Sequence, residues 1–301
     1  MYFPITGVTI SPLFLAGVGF LVGLLGGFFG VGGGFLAGPM MYLSGVPMNF
    51  VVGTDLAHMT GKSIVAARRH RVLGHVDVKL GLLMILGTLP GIELGARIIE
   101  GLEAAGNIDQ VIGLAYIAIL LSIGAFTAWE SLRAMHMIRT EQMAAQDALA
   151  FQSIARRVYS LRLPPMIALP DSGIEAISLW VVLGASFLTG LLSGALGVGG
   201  GFIRMPMLIY LIGVPTHMAV GTDLFEVVIS AGYGTITHAV KGNVDILMAL
   251  VMQTGAAIGA QIGATATHFF AGPRIRLFFS ILPFIGAVMV ILRLAGVLGG
   301  H

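Results

Sequence analysis

Long apolar stretches dominate the chain, and short groups of charged residues, glycines and prolines separate them. This punctuation predicts eight hydrophobic segments, at about residues 12–43, 47–68, 78–99, 108–129, 174–210, 215–240, 245–270 and 275–298. A helix needs about 20 apolar residues to cross a bilayer core of about 30 Å. The pattern therefore predicts an all-α polytopic membrane protein.

Two of these segments, 12–43 and 174–210, are too long for one crossing, and glycines interrupt both near the middle. At about 1.5 Å per residue, an unbroken helix over the first of them would be about 48 Å long. Each segment is therefore predicted to form two half-helices joined at the glycines. One long, tilted helix that tolerates glycine is the alternative interpretation.

The composition agrees with a membrane protein. Of the 301 residues, 56% are hydrophobic and 10% are charged, whereas charged residues make up about 25% of an ordinary soluble domain. The mean hydropathy is +0.95. These values exclude an ordinary cytosolic enzyme, a nucleic-acid-binding protein and a disordered chain. The residues before the first apolar segment lack the basic region of a secretory signal, so we expect that segment to be retained.

An internal duplication is the strongest signal in the sequence. The motif GVGGGF occurs at residues 30–35 and 197–202, GVP at 45–47 and 213–215, GTDL at 53–56 and 221–224, and HxxxGxVD at 70–77 and 238–245. Chance similarity between apolar helices does not reproduce proline, aspartate and histidine in register. Duplication within a membrane protein points to a transporter with its site between the repeats. The predicted organisation is a first repeat at 1–129, a linker at 130–173 and a second repeat at 174–301.

The linker and the other basic loops bear on the topology. Five arginines lie in the linker, Arg133, Arg139, Arg156, Arg157 and Arg162. Apolar residues at helical spacing favour an amphipathic helix on the membrane surface, and a plain cytoplasmic linker is the alternative. If the glycine-broken segments are re-entrant, each repeat crosses the membrane three times and the repeats are inverted. That arrangement places 11 of the 16 lysines and arginines on one side, so the positive-inside rule favours it over parallel repeats with four crossings each.

The glycine turns are candidate anion sites. They comprise Gly32, Gly33 and Gly34 in the first repeat and Gly199, Gly200 and Gly201 in the second. Unwound backbone near the middle of the bilayer must be buried in protein or line a cavity. A half-helix that begins there points free N–H groups and the positive end of its dipole at an anion. Close helix packing is the alternative, and it is the prediction for the regularly spaced glycines at 87, 91, 95 and at 255, 259, 263.

Each GTDL motif places a threonine and an aspartate inside an apolar segment. A carboxylate within the membrane is costly and marks a functional site by default. Asp55 and Asp223 are therefore candidates for proton or cation coupling, and Thr54 and Thr222 for hydrogen bonds to the anion. Helix capping or packing is the alternative role for these pairs. An ionised aspartate would repel an anion, which favours a protonated carboxyl group or some distance between the two.

The repeated HxxxGxVD motif lies near the predicted membrane edge. His70 and His238 are candidates for gating, and the alternative is an ordinary loop histidine. Asp77 and Asp245, at the end of the motif, are predicted to cap the helices that follow.

Arg204 follows the second glycine turn and has no counterpart in the first repeat. It could neutralise an anion, pair with Glu226 or reach the membrane surface. The histidine spacing predicts no metal site. Gly61-Lys62-Ser63 resembles the end of a phosphate-binding loop, but Leu56 stands where that loop needs glycine, so no nucleotide or other cofactor is predicted.

With GVGGGF, P, GVP, GTDL, H and GxVD in each half, the chain resembles the TauE/SafE sulfite-exporter family of anion permeases. The resemblance implies a multi-pass permease of the bacterial inner membrane that moves small sulfur-containing anions such as sulfite or organosulfonates. It does not imply an ATPase partner. The first repeat departs from the second at residues 68–71, which read RRHR against ITHA, and at His58, which stands opposite Glu226. These departures leave the substrate open.

The sequence thus predicts a secondary transporter that alternates its access between two repeats. Its expected partners are a small anion, protons and the lipid bilayer. The alternatives are a passive anion channel on the same fold and a permease for a different small solute. An enzyme is not predicted, because no nucleophile–base pair or metal cluster lies within the segments. Substrate identity, direction of transport, coupling ion and oligomeric state are not encoded in any motif.

Overall fold

The computed structural model describes residues 1–30, 34–104, 108–139, 158–160, 162–196, 201–270 and 272–294, and it is mostly helical. The helices of the N-terminal half are α1 (Pro12–Phe29), α2 (Gly34–Leu43), α3 (Met48–Val72), α4 (Val78–Ala104) and α5 (Ile108–Arg139). Those of the C-terminal half are α6 (Leu179–Leu196), α7 (Gly201–Pro206), α8 (Thr216–Val240), α9 (Ile246–Ala266) and α10 (Gly272–Leu294). A π-helical stretch, Met207–Ile212, continues α7, and a 3₁₀ turn, Thr267–Phe269, continues α9. The helical class predicted from hydropathy is confirmed.

The first long segment is broken where the glycines predict. Helix α1 ends at Phe29, and Gly30 adopts a left-handed conformation (φ 79°) while its amide donates to the Gly26 carbonyl. Helix α2 begins at Gly34. In the second long segment the structure describes α6 and α7, and residues 197–200 between them lie outside the described ranges. The first five residues of that segment, Ile174–Ser178, form a strand instead of helix.

Two small hairpins precede the two halves, and hydropathy does not predict them. Strand β1 (Tyr2–Phe3) pairs with β2 (Val8–Thr9), and β3 (Met166–Leu169) pairs with β4 (Ile174–Ser178), both antiparallel. Their turns share a left-handed glycine, Gly7 at φ 71° and Gly173 at φ 70°. The sequences PITG and PDSG lie in these turns, 166 residues apart. The correspondence between the halves therefore includes the first residues of the chain.

Glycine seams join the two halves. Gly19, Gly23 and Gly27 on α1 lie so close to α9 that a β-carbon on any of them would collide with the α9 backbone. Gly255, Gly259 and Gly263 on α9 have the same relation to α1, and Gly87 and Gly91 on α4 to α6. The close-packing prediction for these spaced glycines is thus confirmed wherever a contact is described. Each half contributes its first helix, α1 or α6, to one seam and its fourth helix, α4 or α9, to the other.

Helices α3 and α8 pack against each other at the centre and run in opposite directions. Thr60 and Thr235 approach to 3.5 Å between hydroxyl oxygens, and Leu56 packs against Gly234. Near the other ends of the two helices, His70 lies against Gly221. Helices α5 and α10 are also antiparallel, with Gly124 beside Phe284 and Gly286 beside Leu120.

Three helical stretches in the described part are long and apolar enough to cross a membrane: Pro12–Phe29, Val78–Gly95 and Ile246–Phe269. Leu179–Gly194 and Ile203–Ile212 are shorter apolar helices. All eight predicted segments contain helix, but charged side chains lower the hydropathy of several. Helix α3, for example, carries Asp55, Lys62 and three arginines.

Candidate functional site

Six ionisable side chains are buried where α3, α7 and α8 meet, each no more than 1% exposed. We call this set the central charged cluster; its members are Asp55, His58, Lys62, Arg204, Asp223 and Glu226. Removing charges from water is expensive even when they are paired, and more so inside a membrane. Hydrophobic packing alone does not account for such a group, so it is the main candidate site.

The C-terminal half supplies an arginine held by two carboxylates. Arg204 Nη1 donates to Asp223 Oδ1 at 3.0 Å and also pairs with Glu226 Oε2. The Ser230 hydroxyl donates to the same glutamate oxygen at 3.2 Å. Pairing with Glu226, one of the three predicted roles of Arg204, is therefore confirmed. Arg204 Nε and Nη2, Asp223 Oδ2 and Glu226 Oε1 have no hydrogen-bond partner in the described part of the chain.

The N-terminal half supplies a different group at the matching positions. Asp55 Oδ1 lies 3.4 Å from His58 Nδ1, one turn further along α3. Asp55 Oδ2 and His58 Nε2 are buried, and neither atom has a hydrogen-bond partner among the described residues. Lys62 Nζ donates to the Val22 carbonyl at 3.5 Å. Its ammonium also interacts electrostatically with both Asp55 and Asp223, which connects the two groups.

The aspartates of the GTDL motifs do not cap helices. Pro47 and Pro215 occupy the N-cap positions of α3 and α8, and Asp55 and Asp223 lie about two turns further along. The capping interpretation of these two aspartates is wrong, because each helix starts at its proline and not at the motif. Packing or coupling remain as their roles.

The threonines of the same motifs anchor helices from the opposite half. Thr54 Oγ1 accepts a hydrogen bond from the backbone amide of Asp245, and Thr222 Oγ1 accepts one from the backbone amide of Asp77, both at 2.9 Å. A hydroxyl that accepts one bond keeps its own proton to donate, so a bond from either threonine to an anion stays a prediction. All four side chains are buried.

Asp77 and Asp245 begin α4 and α9 as the sequence predicts. Asp77 Oδ1 accepts the Leu80 amide at 2.8 Å, and Asp245 Oδ1 accepts the Met248 amide at 3.0 Å. Their second oxygens accept hydroxyl protons from the two hairpins: Ser172 donates to Asp77 at 2.6 Å and Thr6 donates to Asp245 at 3.1 Å. The prediction that these residues are N-caps is confirmed.

His70 and His238 are helical residues, not loop residues. They lie in the last turns of α3 and α8, which extend two residues beyond each histidine. His70 is fully buried, and its Nε2 lies 2.9 Å from the Gly27 carbonyl at the end of α1. His238 is partly buried beside Gly53. The interpretation of His70 as a solvated loop histidine is wrong, and gating by either residue stays a prediction.

Two further histidines, His75 and His217, lie in a row with His70 near the end of α3. His70 Nδ1 lies 3.4 Å from His75 Nδ1, and the rings of His75 and His217 are 5.1 Å apart. His75 lies in the loop between α3 and α4; burial, His217 and His268 together lower its pKa. Among the described residues no group of three or more histidines and carboxylates is arranged to hold a metal ion.

The predicted glycine cradle falls largely outside the described residues. This is the case for Gly32, Gly33, Gly199 and Gly200. Gly34 and Gly201 are the first residues of α2 and α7. Residues 140–157 and 161 of the linker, which include Arg156 and Arg157, also lie outside the described ranges.

A second buried ion pair escaped the sequence analysis. Glu130 near the end of α5 accepts a bond from Arg276 Nη2 at 3.0 Å and another from the Tyr210 hydroxyl. Arg276 Nη1 donates to the Thr216 hydroxyl at 3.0 Å. These bonds hold α5, α8, α10 and the π-helical stretch together. A single glutamate at the end of an apolar segment was the available signal, but its partner is 146 residues away.

Comparisons with known proteins agree on one family. The model of the sulfite exporter TauE/SafE family matches residues 15–290. The probable membrane transporter protein YunE of Bacillus subtilis is 26% identical over 265 residues, which cover 85% of this chain and 88% of that protein. The probable membrane transporter protein MJ0441 of Methanocaldococcus jannaschii is 24% identical over 298 residues, or 94% and 96% of the two chains. No solved structure matches the chain.

Proposed function

Because the chain belongs to the TauE/SafE sulfite exporter family, we propose that it is a secondary transporter that moves a small sulfur-containing anion, such as sulfite or an organosulfonate, across the bacterial inner membrane. The observation that carries the proposal is the central charged cluster. Its fully buried charges include two matched pairs, Asp55 with Asp223 and His58 with Glu226, and several polar atoms of the cluster have no partner in the described part.

The proposed anion contacts combine backbone and side-chain donors. They are Gly32, Gly33, Gly34, Thr54, Gly199, Gly200, Gly201, Arg204 and Thr222. Arg204 supports this site because two of its nitrogens, Nε and Nη2, lack acceptors among the described residues. A planar guanidinium matches an oxyanion well. A small void borders the same side chain, with Ser186 and Thr189 among its lining residues.

Proton coupling follows from the electrostatics of this site. Arg204 with ionised Asp223 and Glu226 carries a net negative charge, which would repel an anion at close range. Protonation within the cluster removes that repulsion, so anion and proton are expected to bind together. We assign coupling to Asp55 and Asp223. Gating is assigned to His70 and His238, and the bond of His70 to Gly27 next to the first helix break supports this.

Alternating access is proposed to arise from two inverted repeats, at 1–129 and 174–301, with the glycine-broken segments re-entrant. Matching helices run in opposite directions in two pairs that pack together, α3 with α8 and α5 with α10. An in-plane two-fold relation between repeats produces this pairing. Reciprocal bonds from Thr54 to Asp245 and from Thr222 to Asp77 support the same relation.

Binding of a panel of anions to the purified protein tests the substrate class. The panel contains sulfite, sulfate, thiosulfate, taurine, sulfoacetate and chloride, and thermal unfolding is the readout. A ligand of the folded state stabilises it by RT ln(1 + [L]/Kd). We expect sulfite or a sulfonate to raise the unfolding temperature selectively, and Gly33→Leu to abolish that rise.

The matched control is Gly17→Leu, because no atom lies within 4 Å of a β-carbon at Gly17. This variant should keep the response to the anion. Stabilisation by a cation or neutral solute and by no sulfur anion would overturn the proposed substrate class. Counterflow in proteoliposomes separates a transporter from a channel: external substrate accelerates the exit of labelled internal substrate only if a carrier exchanges them.

A further inference from the structure

The central charged cluster balances three acids against three bases. The acids are Asp55, Asp223 and Glu226, and the bases are Lys62, Arg204 and His58. With the acids ionised and the lysine and arginine charged, a neutral His58 leaves one negative charge in excess. A protonated His58 makes the cluster neutral. An uncompensated charge in a buried site is costly, so the cluster gains from this proton.

Histidine is the base in this set whose charge changes between about pH 5 and 8. The geometry around His58 suits a proton that comes and goes. Its Nδ1 lies 3.4 Å from Asp55 Oδ1, an oxygen that can only accept when ionised, so Nδ1 carries the hydrogen of that contact. The other nitrogen, Nε2, is buried with no described hydrogen-bond partner. In the neutral ring Nε2 holds the lone pair that accepts a proton.

We propose that His58 carries the exchangeable proton of transport at Nε2, with Asp55 as the positioning residue that fixes its tautomer. This inference rests on the proposed function and refines its coupling site: Asp55 acts in coupling through the histidine that it positions, and the proton itself binds at His58 Nε2. The anion and the proton favour each other's binding, because a protonated His58 neutralises the cluster into which the anion enters. When the proton leaves, the excess negative charge favours release of the anion.

Within the described ranges, the charged groups on the elements around His58 are as follows. On its own helix they are Asp55 and Lys62. Helix α8 brings Asp223 and Glu226, both held by Arg204, and also His238 at the far end beside Gly53. Helix α9 brings only Asp245, which caps its own helix and accepts from Thr6. Helices α1 and α2 contain no charged residue.

The matching position of the other half supports a division of roles. Glu226 stands there and pairs with Arg204, so the C-terminal half presents an acid to a permanent cation. The N-terminal half presents a histidine to an acid. An arginine does not lose its proton in proteins, whereas a histidine does so near neutrality. The N-terminal half is therefore the one equipped to exchange a proton.

The test uses the full chain in proteoliposomes with a trapped pH dye and a sulfonate, whose own charge is constant near neutral pH. Two quantities are measured: protons moved per anion during net uptake, and anion counterflow at equal pH on both sides. For His58→Gln we expect the number of protons moved per anion to fall about tenfold or more. Counterflow is measured at saturating sulfonate, because the variant keeps the excess negative charge and is expected to bind the anion more weakly. The control His268→Gln removes an exposed histidine and should change neither quantity.

A second readout separates this proposal from the proposed function. In the ¹⁵N-histidine NMR spectrum of the protein in detergent, the signal that His58→Gln removes should titrate between pH 5 and 8 and should move when sulfonate is added. If the wild-type protein transports no sulfur anion, the proposed function fails, and the titration still decides whether His58 exchanges a proton. A His58 signal that does not titrate, or a His58→Gln variant with an unchanged proton-to-anion ratio, would overturn the proposal.

If His58→Gln fails to fold, a second variant that copies the residue of the other half tests the proposal. His58→Glu places at this position the residue found at 226, and a glutamate can still bind a proton. We expect coupling to persist with its pH optimum moved to more acidic values. Coupling with an unchanged optimum would contradict a proton carried at this position.

Discussion

The GTDL motif occurs twice with the same four residues, but the side chains around its two copies differ. Thr54 and Thr222 make the same bond, to an aspartate amide of the opposite half. Asp55 and Asp223 then diverge: the first contacts His58, and the second is held by Arg204. The threonine bond holds the fold together and is kept in both copies. The aspartate environment is where the two halves have become different, and this is where we place the function.

Substitutions at three matched positions account for this divergence. Ala37 corresponds to Arg204, His58 to Glu226 and Lys62 to Ser230. Each half thereby received its own arrangement of charges while the backbone stayed alike. The predictions that follow change either the shared framework or the divergent charges.

The largest loss of stability is expected at position 204, one of the positions where the two halves differ. Arg204→Met would leave Asp223 and Glu226 buried next to each other without their cation. Breaking a buried pair in this way costs about 3–5 kcal/mol. Denaturant unfolding in detergent measures it. Arg97→Met, which removes an exposed pair with Glu93, should change the free energy of unfolding by less than about 1 kcal/mol. Equal stability of Arg204→Met and wild type would contradict the ion pair.

The glycine seams should respond alike in the two halves. A β-carbon at Gly91 would collide with the Phe187 carbonyl, and one at its counterpart Gly259 with the Phe20 carbonyl. Backbones must move apart to admit it, so each glycine-to-alanine variant is expected to lose about 1–3 kcal/mol. Gly17→Ala, with open space around it, should be neutral or stabilising by up to about 1 kcal/mol. Unequal losses at 91 and 259 would show that the seams are not equivalent.

The threonine anchors provide a second symmetric test. Thr54→Val and Thr222→Val keep the shape of the side chain but leave a buried aspartate amide without its acceptor. Each should cost about 1–3 kcal/mol, with similar values for both. Thr254→Val is the control, because Thr254 is exposed and donates only to a carbonyl on its own helix. A loss at one anchor alone would indicate that one half folds without the other.

The smallest effect is expected at His75, whose counterpart is Asn243. Burial lowers the pKa of His75, and His217 and His268 lower it further. The folded protein therefore binds this proton less readily than the unfolded chain. The contribution to stability is complete above the unfolded value of about 6.5 and declines as the pH falls below it. His75→Asn should reduce the difference in melting temperature between pH 7.5 and pH 5. An unchanged difference would exclude His75 as its source.

Local signals were enough to predict part of this molecule. The broken first segment followed from glycines that cannot sustain a long helix, and the caps Asp77 and Asp245 followed from their place before apolar runs. The contact of Asp55 with His58 was not predicted, although it lies within one helical turn and the i, i+3 spacing was a local signal for it. The hairpins were missed because strands of two to five residues are too short to show a clear alternating pattern, and β4 lies at the start of a long apolar segment. The bond between Arg276 and Glu130 was missed because a distant pairing depends on how the helices pack.

The reciprocal anchors have a consequence for the origin of the chain. Thr54 and Thr222 each bond to the opposite half, and each glycine seam joins the first helix of one half to the fourth helix of the other. A polypeptide of half this length would have neither an acceptor for its aspartate amide nor a surface to cover its seam. A half-length protein with these contacts would need a second copy of itself to supply them. In one continuous chain the two copies are free to differ, and Arg204 on one side and His58 on the other are such differences.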